Sequence, residues 1–222
     1  MDFLRIYNIK NYQKIRIGDK KDGGYVVLDG FNYDCFISCG VGDNVSFEID
    51  FLNKYNIPNF CFDGTVEKLP VDNQKINFIK KNIGFNENEE NLLNISDNYK
   101  NIFLKMDIEK AEYDWILNTN NLKNYKQIVI EFHQPFKEDI EKRISAIKKL
   151  SQTHYFYHIH ANNCCGTRKY KGFTVPNIFE ISMIRKGKFK VLPNQELFPT
   201  ILDYPNVEGR EEIKLEGYPY QW

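Results

Sequence analysis

The chain reads as an α/β protein built on an open, mostly parallel and doubly wound sheet, and three observations predict it. Short apolar runs end on acidic residues in order along the sequence: Cys35 to Asp43, Asn59 to Asp63, Ile102 to Asp107 and Gln127 to Glu131. A Gly40-Val-Gly42 turn follows the first run, where a strand should pass into a helix. Apolar residues at helical spacing then separate the runs, as crossover connections between parallel strands require.

Each element has its own signature. Lys14-Ile-Arg-Ile-Gly18 and Tyr25-Val-Val-Leu28 flank the polar stretch Asp19 to Gly24 and predict a hairpin, a lip before the main sheet. Strand one is Cys35 to Cys39, a continuous apolar run suited to burial on both faces. Phe47, Phe51 and Leu52 then predict a helix from Ser46 to Tyr55. Strand two is Asn59 to Phe62, and strand three is about Ile76 to Ile79. The acidic Asn86 to Glu90 reads as a solvated surface segment.

Strand four ends at Asp107, and Ala111, Trp115 and Ile116 stripe the next helix. Strand five is Ile128 to Phe132, followed by a helix over roughly 138–150 with Ile140, Ile144, Ile147 and Leu150 on one face. Tyr155 to His160 and Phe179 to Ile184 predict an antiparallel pair at the sheet edge, because the segment between them lacks a crossover-helix pattern. Four prolines (Pro193, Pro199, Pro205 and Pro219) make the tail after Lys190 extended.

At 222 residues and 42% hydrophobic, the chain suffices for one full core, so a single domain is expected: a lip over 1–34, a core over 35–186 and a tail over 187–222. Thirty basic residues balance thirty acidic ones, which argues against a broad nucleic-acid surface. No stretch approaches the roughly 18 apolar residues of a spanning helix, and Met1 to Tyr7 lacks a signal-peptide core, so a cytoplasmic location without membrane insertion is expected. Cys35, Cys39 and Cys61 fall inside apolar runs as small core residues. The adjacent Cys164-Cys165 has no second Cys-x-x-Cys to complete a zinc site.

In an open parallel sheet the carboxyl ends of the strands line one crevice, so the run-ending residues should meet one ligand, with an adenosine-type cofactor the first expectation. Gly40 and Gly42 let backbone amides approach it, although a structural turn explains them equally well. The third glycine of a dinucleotide fingerprint and the Gly-Lys-Ser/Thr of a phosphate loop are both missing. Asp63 follows Gly40 at about the 20-residue interval expected of an acid that binds ribose hydroxyls.

Leu104-Lys-Met-Asp-Ile-Glu-Lys-Ala-Glu-Tyr-Asp114 resembles the Leu-Lys-x-Asp-x-Glu-Gly-Ala-Glu signature of FkbM-type S-adenosylmethionine-dependent methyltransferases, with Lys110 in place of the usual glycine. Arg16-Ile-Gly18 with Asp22-Gly-Gly-Tyr25, Cys39 to Ser46, Phe62-Asp-Gly-Thr65, Ile130-Glu-Phe-His133 and His158-Ile-His-Ala-Asn-Asn163 are similar to a sugar-modifying branch of that family.

The resemblance implies a class I methyltransferase (Rossmann-like) fold with a reversed final strand. It implies S-adenosylmethionine held by Gly40, Gly42, Asp63 and Asp107, with Asp22, Gly24 and Tyr25 closing over it and Gly84 near the adenine. The implied acceptor is a sugar hydroxyl, free or on a nucleotide-activated precursor of a bacterial capsule or surface polysaccharide; another small molecule or a lipid-linked glycan is the alternative, and a non-catalytic nucleotide- or adenosylmethionine-binding module a second.

Asp107, Glu131 and His133 stand at adjacent strand ends. They can act as a general base with its orienting acid, His133 being the favoured base, or as ligands for a divalent ion such as Mg or Mn. His158 and His160 share one strand face and, with Asn162 and Asn163, suit a sugar; a polar strand end is the plainer reading. Arg168 and Lys169 suit a diphosphate, or simply a solvated loop.

Overall fold

Seven strands lie edge to edge at the centre of the molecule in a computed structural model that describes residues 1–222. In chain order the elements are β1 (Tyr7–Ile9), β2 (Lys14–Ile17), β3 (Tyr25–Leu28), β4 (Cys35–Cys39), α1 (Ser46–Tyr55), β5 (Asn59–Phe62), β6 (Phe78–Ile79), α2 (Leu93–Ser96), β7 (Ile102–Met106) and α3 (Glu112–Asn118). They continue with β8 (Tyr125–His133), α4 (Ile140–Thr153), β9 (His154–Ala161), β10 (Thr167–Tyr170), β11 (Phe173–Pro176), β12 (Ile178–Arg185) and β13 (Val191–Pro193).

The central order is β6-β5-β4-β7-β8-β12-β9. β6, β5, β4, β7 and β8 pair in parallel, while β12 runs antiparallel to both β8 and β9. Numbering only these seven strands along the chain gives 3-2-1-4-5-7-6 with strand seven reversed, the class I methyltransferase arrangement. The reversed strand lies one place in from the edge. The chain crosses from β8 through α4 to β9, leaving a gap that β12 fills after the β10–β11 hairpin turns it round.

Side-chain alternation builds two cores. Cys35, Ile37, Cys39, Leu104, Met106, Ile128 and Ile130 face α3 and α4 with Trp115, Ile116, Ile147 and Leu150. Phe36 and Phe103 face the opposite way, against Phe47 and Phe51 of α1 and Tyr25 and Val27 of β3. Every residue of β4 and β7 is buried, as expected of strands covered on both sides. The order reverses between β4 and β7, so the ligand crevice of such a sheet opens above Cys39 and Met106.

Strand three shrinks to Phe78–Ile79, while strand five extends at both ends. The acidic connection after β6 is folded back on itself: Gly84 N donates to Glu90 O, Glu90 N to Asn82 O, and Asn86 N to the Glu89 carboxylate. The basic segment forms the β10–β11 hairpin rather than a loop. Cys164 and Cys165 are bonded to each other, and Cys35, Cys39 and Cys61 are free and buried. No helix is long and apolar enough to cross a membrane.

Candidate active site

A cavity of about 340 Å³ opens at the ends of β4, β5 and β7, within the roughly 300–1,000 Å³ of small-molecule sites. Gly40, Asp63 and Asp107 line it, beside the apolar Phe62, Ile83, Ile108 and Ala111 and the polar Thr65, Asn82, Glu89 and Glu109. Gly40 has φ +77°, and a Cβ there would lie 1.6 Å from the Asp107 carbonyl oxygen, so only glycine lets the two strand ends close up.

Asp63 clamps the loops together. Its Oδ1 accepts from Thr65 N (2.7 Å), Thr65 Oγ1 (2.6 Å) and Val66 N (3.3 Å), and its Oδ2 accepts from Gly42 N (2.8 Å). Burial alone would raise this acid; the hydrogen bonds outweigh it and hold the carboxylate below its usual range. One lone pair of Oδ2 remains for a ligand hydroxyl. Gly42, Gly84, Asp22, Gly24 and Tyr25 do not line the cavity. Gly84 instead packs on the Glu89 carboxylate, while Gly24 lies so close to Asp19 O that a Cβ would sit 2.1 Å from it.

Beside the cavity stands an acid–imidazole cluster. His133 Nε2 lies 3.3 Å from Glu131, 3.6 Å from Asp107 and 3.6 Å from Glu109, and Nδ1 lies 3.4 Å from Glu112, out of hydrogen-bond alignment. The strand end is fixed: His133 N donates to Glu112 Oε1 (3.0 Å), and Tyr113 Oη (2.9 Å) and Arg143 (3.3 Å) donate to His133 O. Burial pushes Asp107 up to about 6 and Glu131 up to about 8. Burial would lower His133, but its carboxylate neighbours, Glu112 and Glu131 foremost, outweigh that and raise it to about 11. The carboxylates around the ring favour its protonated form, which moves the role of base away from His133.

The tail covers the next strand ends. His158 Nε2 meets Asp203 at 2.8 Å with both side chains buried, and His160 Nε2 meets Glu212 at 3.3 Å. Asn163 donates to Val207 O and Arg210 O and accepts from Val207 N. Asn206 donates to both Asp22 and Glu180, tying the lip to the sheet, and Asn162 approaches Glu131 at 3.5 Å. His158, His160 and Asn163, expected to meet a sugar, thus hold the chain's own tail, while Asn162 reaches Glu131 and accepts from Cys164 N. Arg168 donates to Asn177 and to Phe136 O, and Lys169 to Thr174, so both expected phosphate ligands brace the hairpin instead.

Sequence reasoning gave no role to Glu112, although it stands in the quoted Ala111-Glu112 of the signature, nor to Glu89, which it placed on the surface. Glu112 meets His133 21 residues on, and Glu89, held locally by Asn86 N, reaches the cavity only because the connection folds back. Asp107, Glu109 and His133 each bring one ligand atom within 4.8 Å of the others, a set able to hold a metal ion.

No family model matches the chain, and no curated protein matches it in sequence. Among solved structures, precorrin-6y C5,15-methyltransferase from Geobacter metallireducens GS-15 aligns at 13% identity over 70% of this chain and 82% of its own, with a TM-score of 0.41. A presumed methyltransferase from Thermoplasma acidophilum aligns at 11% identity over 71% and 70%, with a TM-score of 0.37. Overlaps this loose say nothing of activity; the fold rests on the strand order, and the FkbM resemblance on the quoted motifs.

Proposed function

We propose that the chain is an S-adenosylmethionine-dependent O-methyltransferase acting on a sugar hydroxyl, the acceptor being a free or nucleotide-activated precursor of a bacterial surface polysaccharide. One observation carries the catalytic part of this reading: Asp107 and Glu109 line the cavity and also face His133, so ligand site and proton-handling cluster share a wall. The sugar acceptor comes from the motif resemblance alone.

The cavity suits the cofactor. Gly40 brings backbone to its edge, Asp63 keeps an acceptor for a ribose hydroxyl, and Phe62, Ile83, Ile108 and Ala111 offer an apolar wall for a purine. When bound, S-adenosylmethionine supplies an electrophilic methyl group on a sulfonium. The acceptor oxygen displaces the thioether in line, forming an O–C bond as the C–S bond breaks, and the hydroxyl proton must go to the protein.

Carboxylates face both nitrogens of His133, so the ring gives protons rather than takes them, and Glu131 beside it is the proton acceptor. His133 holds Glu131 in place, and Glu112 and the Arg143 contact hold His133. A divalent ion is the second reading, favoured by the convergence of Asp107 and His133 with Glu109 where Glu131 was expected; two carboxylates and one imidazole serve several divalent ions, Mg and Mn among them.

Calorimetric titration of the wild type with S-adenosylmethionine tests the reading first, and absence of saturable binding overturns it. Transfer of labelled methyl to sugars and nucleotide-sugars follows. Glu131→Gln is expected to bind the cofactor within about twofold of wild type while turnover falls about 10²- to 10⁴-fold. Chelation by EDTA separates the two catalytic readings: lost turnover, restored by Mg or Mn, selects the metal.

A further inference from the structure

A buried trio of serine, glutamate and lysine lies beneath the cavity, on the face of the sheet that α1 covers. Ser38 of β4 and Lys105 of β7 are in register, and Glu48 of α1 packs onto them between Phe47 and Phe51. Ser38 and Glu48 are fully buried and Lys105 is 3% exposed. Lys105 Nζ lies 3.2 Å from Glu48 Oε1, and Ser38 Oγ donates to the same oxygen at 2.5 Å. Lys105 Nζ also donates to Gly40 O at 2.9 Å.

We propose that Lys105 is a positioning residue for the ligand loop, fixing the Gly40–Val41 peptide so that its N–H faces the cavity side. This rests on the reading of the cavity as a cofactor site. Three contacts hold Gly40: its N–H donates to Phe62 O at 2.9 Å, its Cα abuts the Asp107 backbone, and its carbonyl is held by Lys105. In a trans peptide the carbonyl and the following N–H point opposite ways. With the carbonyl drawn down to Lys105, the Val41 N–H points away from the core, and it has no partner within the chain.

An apolar residue in place of Lys105 would fill the space without orienting the peptide. A buried ion pair adds little net stability, and well-packed apolar replacements of both partners are often neutral or better. What the lysine supplies is a directed donor in a low-dielectric site. Glu48 and Ser38 are its counter-charge and the brace of that counter-charge.

The double variant Glu48→Met with Lys105→Met removes both charges and leaves neither partner orphaned. It is expected to melt within about 3 °C of wild type while binding S-adenosylmethionine about tenfold more weakly. Amide exchange over 40–44 should accelerate, with that of β7 and β8 unchanged. Wild-type affinity together with wild-type exchange at 40–44 would overturn the proposal. Should the wild type fail to bind the cofactor, the cofactor reading falls and the exchange over 40–44 alone decides whether Lys105 orders the loop. If the double variant does not fold, Lys105→Arg keeps the ion pair but displaces the donor; a several-fold loss of affinity with faster exchange at 40–44 is expected, and wild-type values for both would overturn the assignment.

Discussion

Lys110 stands where the resembling signature carries glycine, and its backbone shows why: φ is +82°, following +52° at Glu109. A side chain in the left-handed region costs about 1–2 kcal/mol, while glycine gives back about 0.4–1 kcal/mol through the freer unfolded chain. Lys110→Gly should therefore raise stability by about 0.5–1 kcal/mol, read from urea denaturation, and Lys110→Ala should give no such gain. Gly40 is the opposite case. With φ +77° and the Asp107 carbonyl in the way of any Cβ, Gly40→Ala should lose about 2 kcal/mol or more, together with cofactor binding; a variant of unchanged denaturation midpoint would show that the loop relaxes freely.

At the scale of elements, the C-terminal tail pairs with β1 through β13 and buries Phe198, Leu215 and Tyr220 in the core, and between these anchors buried polar contacts hold it. Asp203 accepts from Thr200 N (2.6 Å) and Thr200 Oγ1 (2.9 Å) through Oδ2 and meets His158 through Oδ1. Asp203→Ala leaves a buried histidine and two donors short of a partner and should cost about 1–3 kcal/mol. It should also open 200–212 to limited proteolysis while the sheet stays protected; an uncut tail would sink this account. The elements differ in how far the sequence reveals them. β4, β7 and α1 were legible because a strand buried on both faces and a helix with one apolar stripe leave local patterns. The β10 strand alternates exposed and half-buried polar residues and leaves none. The partners of His158 and His160 lie about fifty positions away in the tail, so the pair looked free for a ligand. The strand-end acids Asp63, Asp107 and Glu131 were legible as a group, but whether each faces a ligand or its own chain depends on loops that no periodicity reports.

Over the whole molecule, lip, sheet and tail meet at buried acids that are balanced by very few cations, which makes the joint sensitive to pH. His160 is nearly buried, 3.6 Å from Glu180 and 3.3 Å from Glu212, while Glu180 in turn accepts from Asn206. Burial would lower this histidine; the two carboxylates outweigh it and raise it to about 10. A group raised on folding contributes stability that is complete below its unfolded value, near 6.5, and is lost as pH climbs through the folded value. The His160 contribution should therefore fade between about pH 6.5 and 10. Other groups titrate in that window, including the buried thiols, so the difference between wild type and His160→Gln isolates it. Denaturation midpoints of the two proteins should stand furthest apart at or below about pH 6.5 and converge toward pH 10, where the neutral imidazole no longer balances Glu180 and Glu212; curves that stay parallel from about pH 6.5 to 10 would show that His160 is not charged in the folded protein and that the tail is held without its charge.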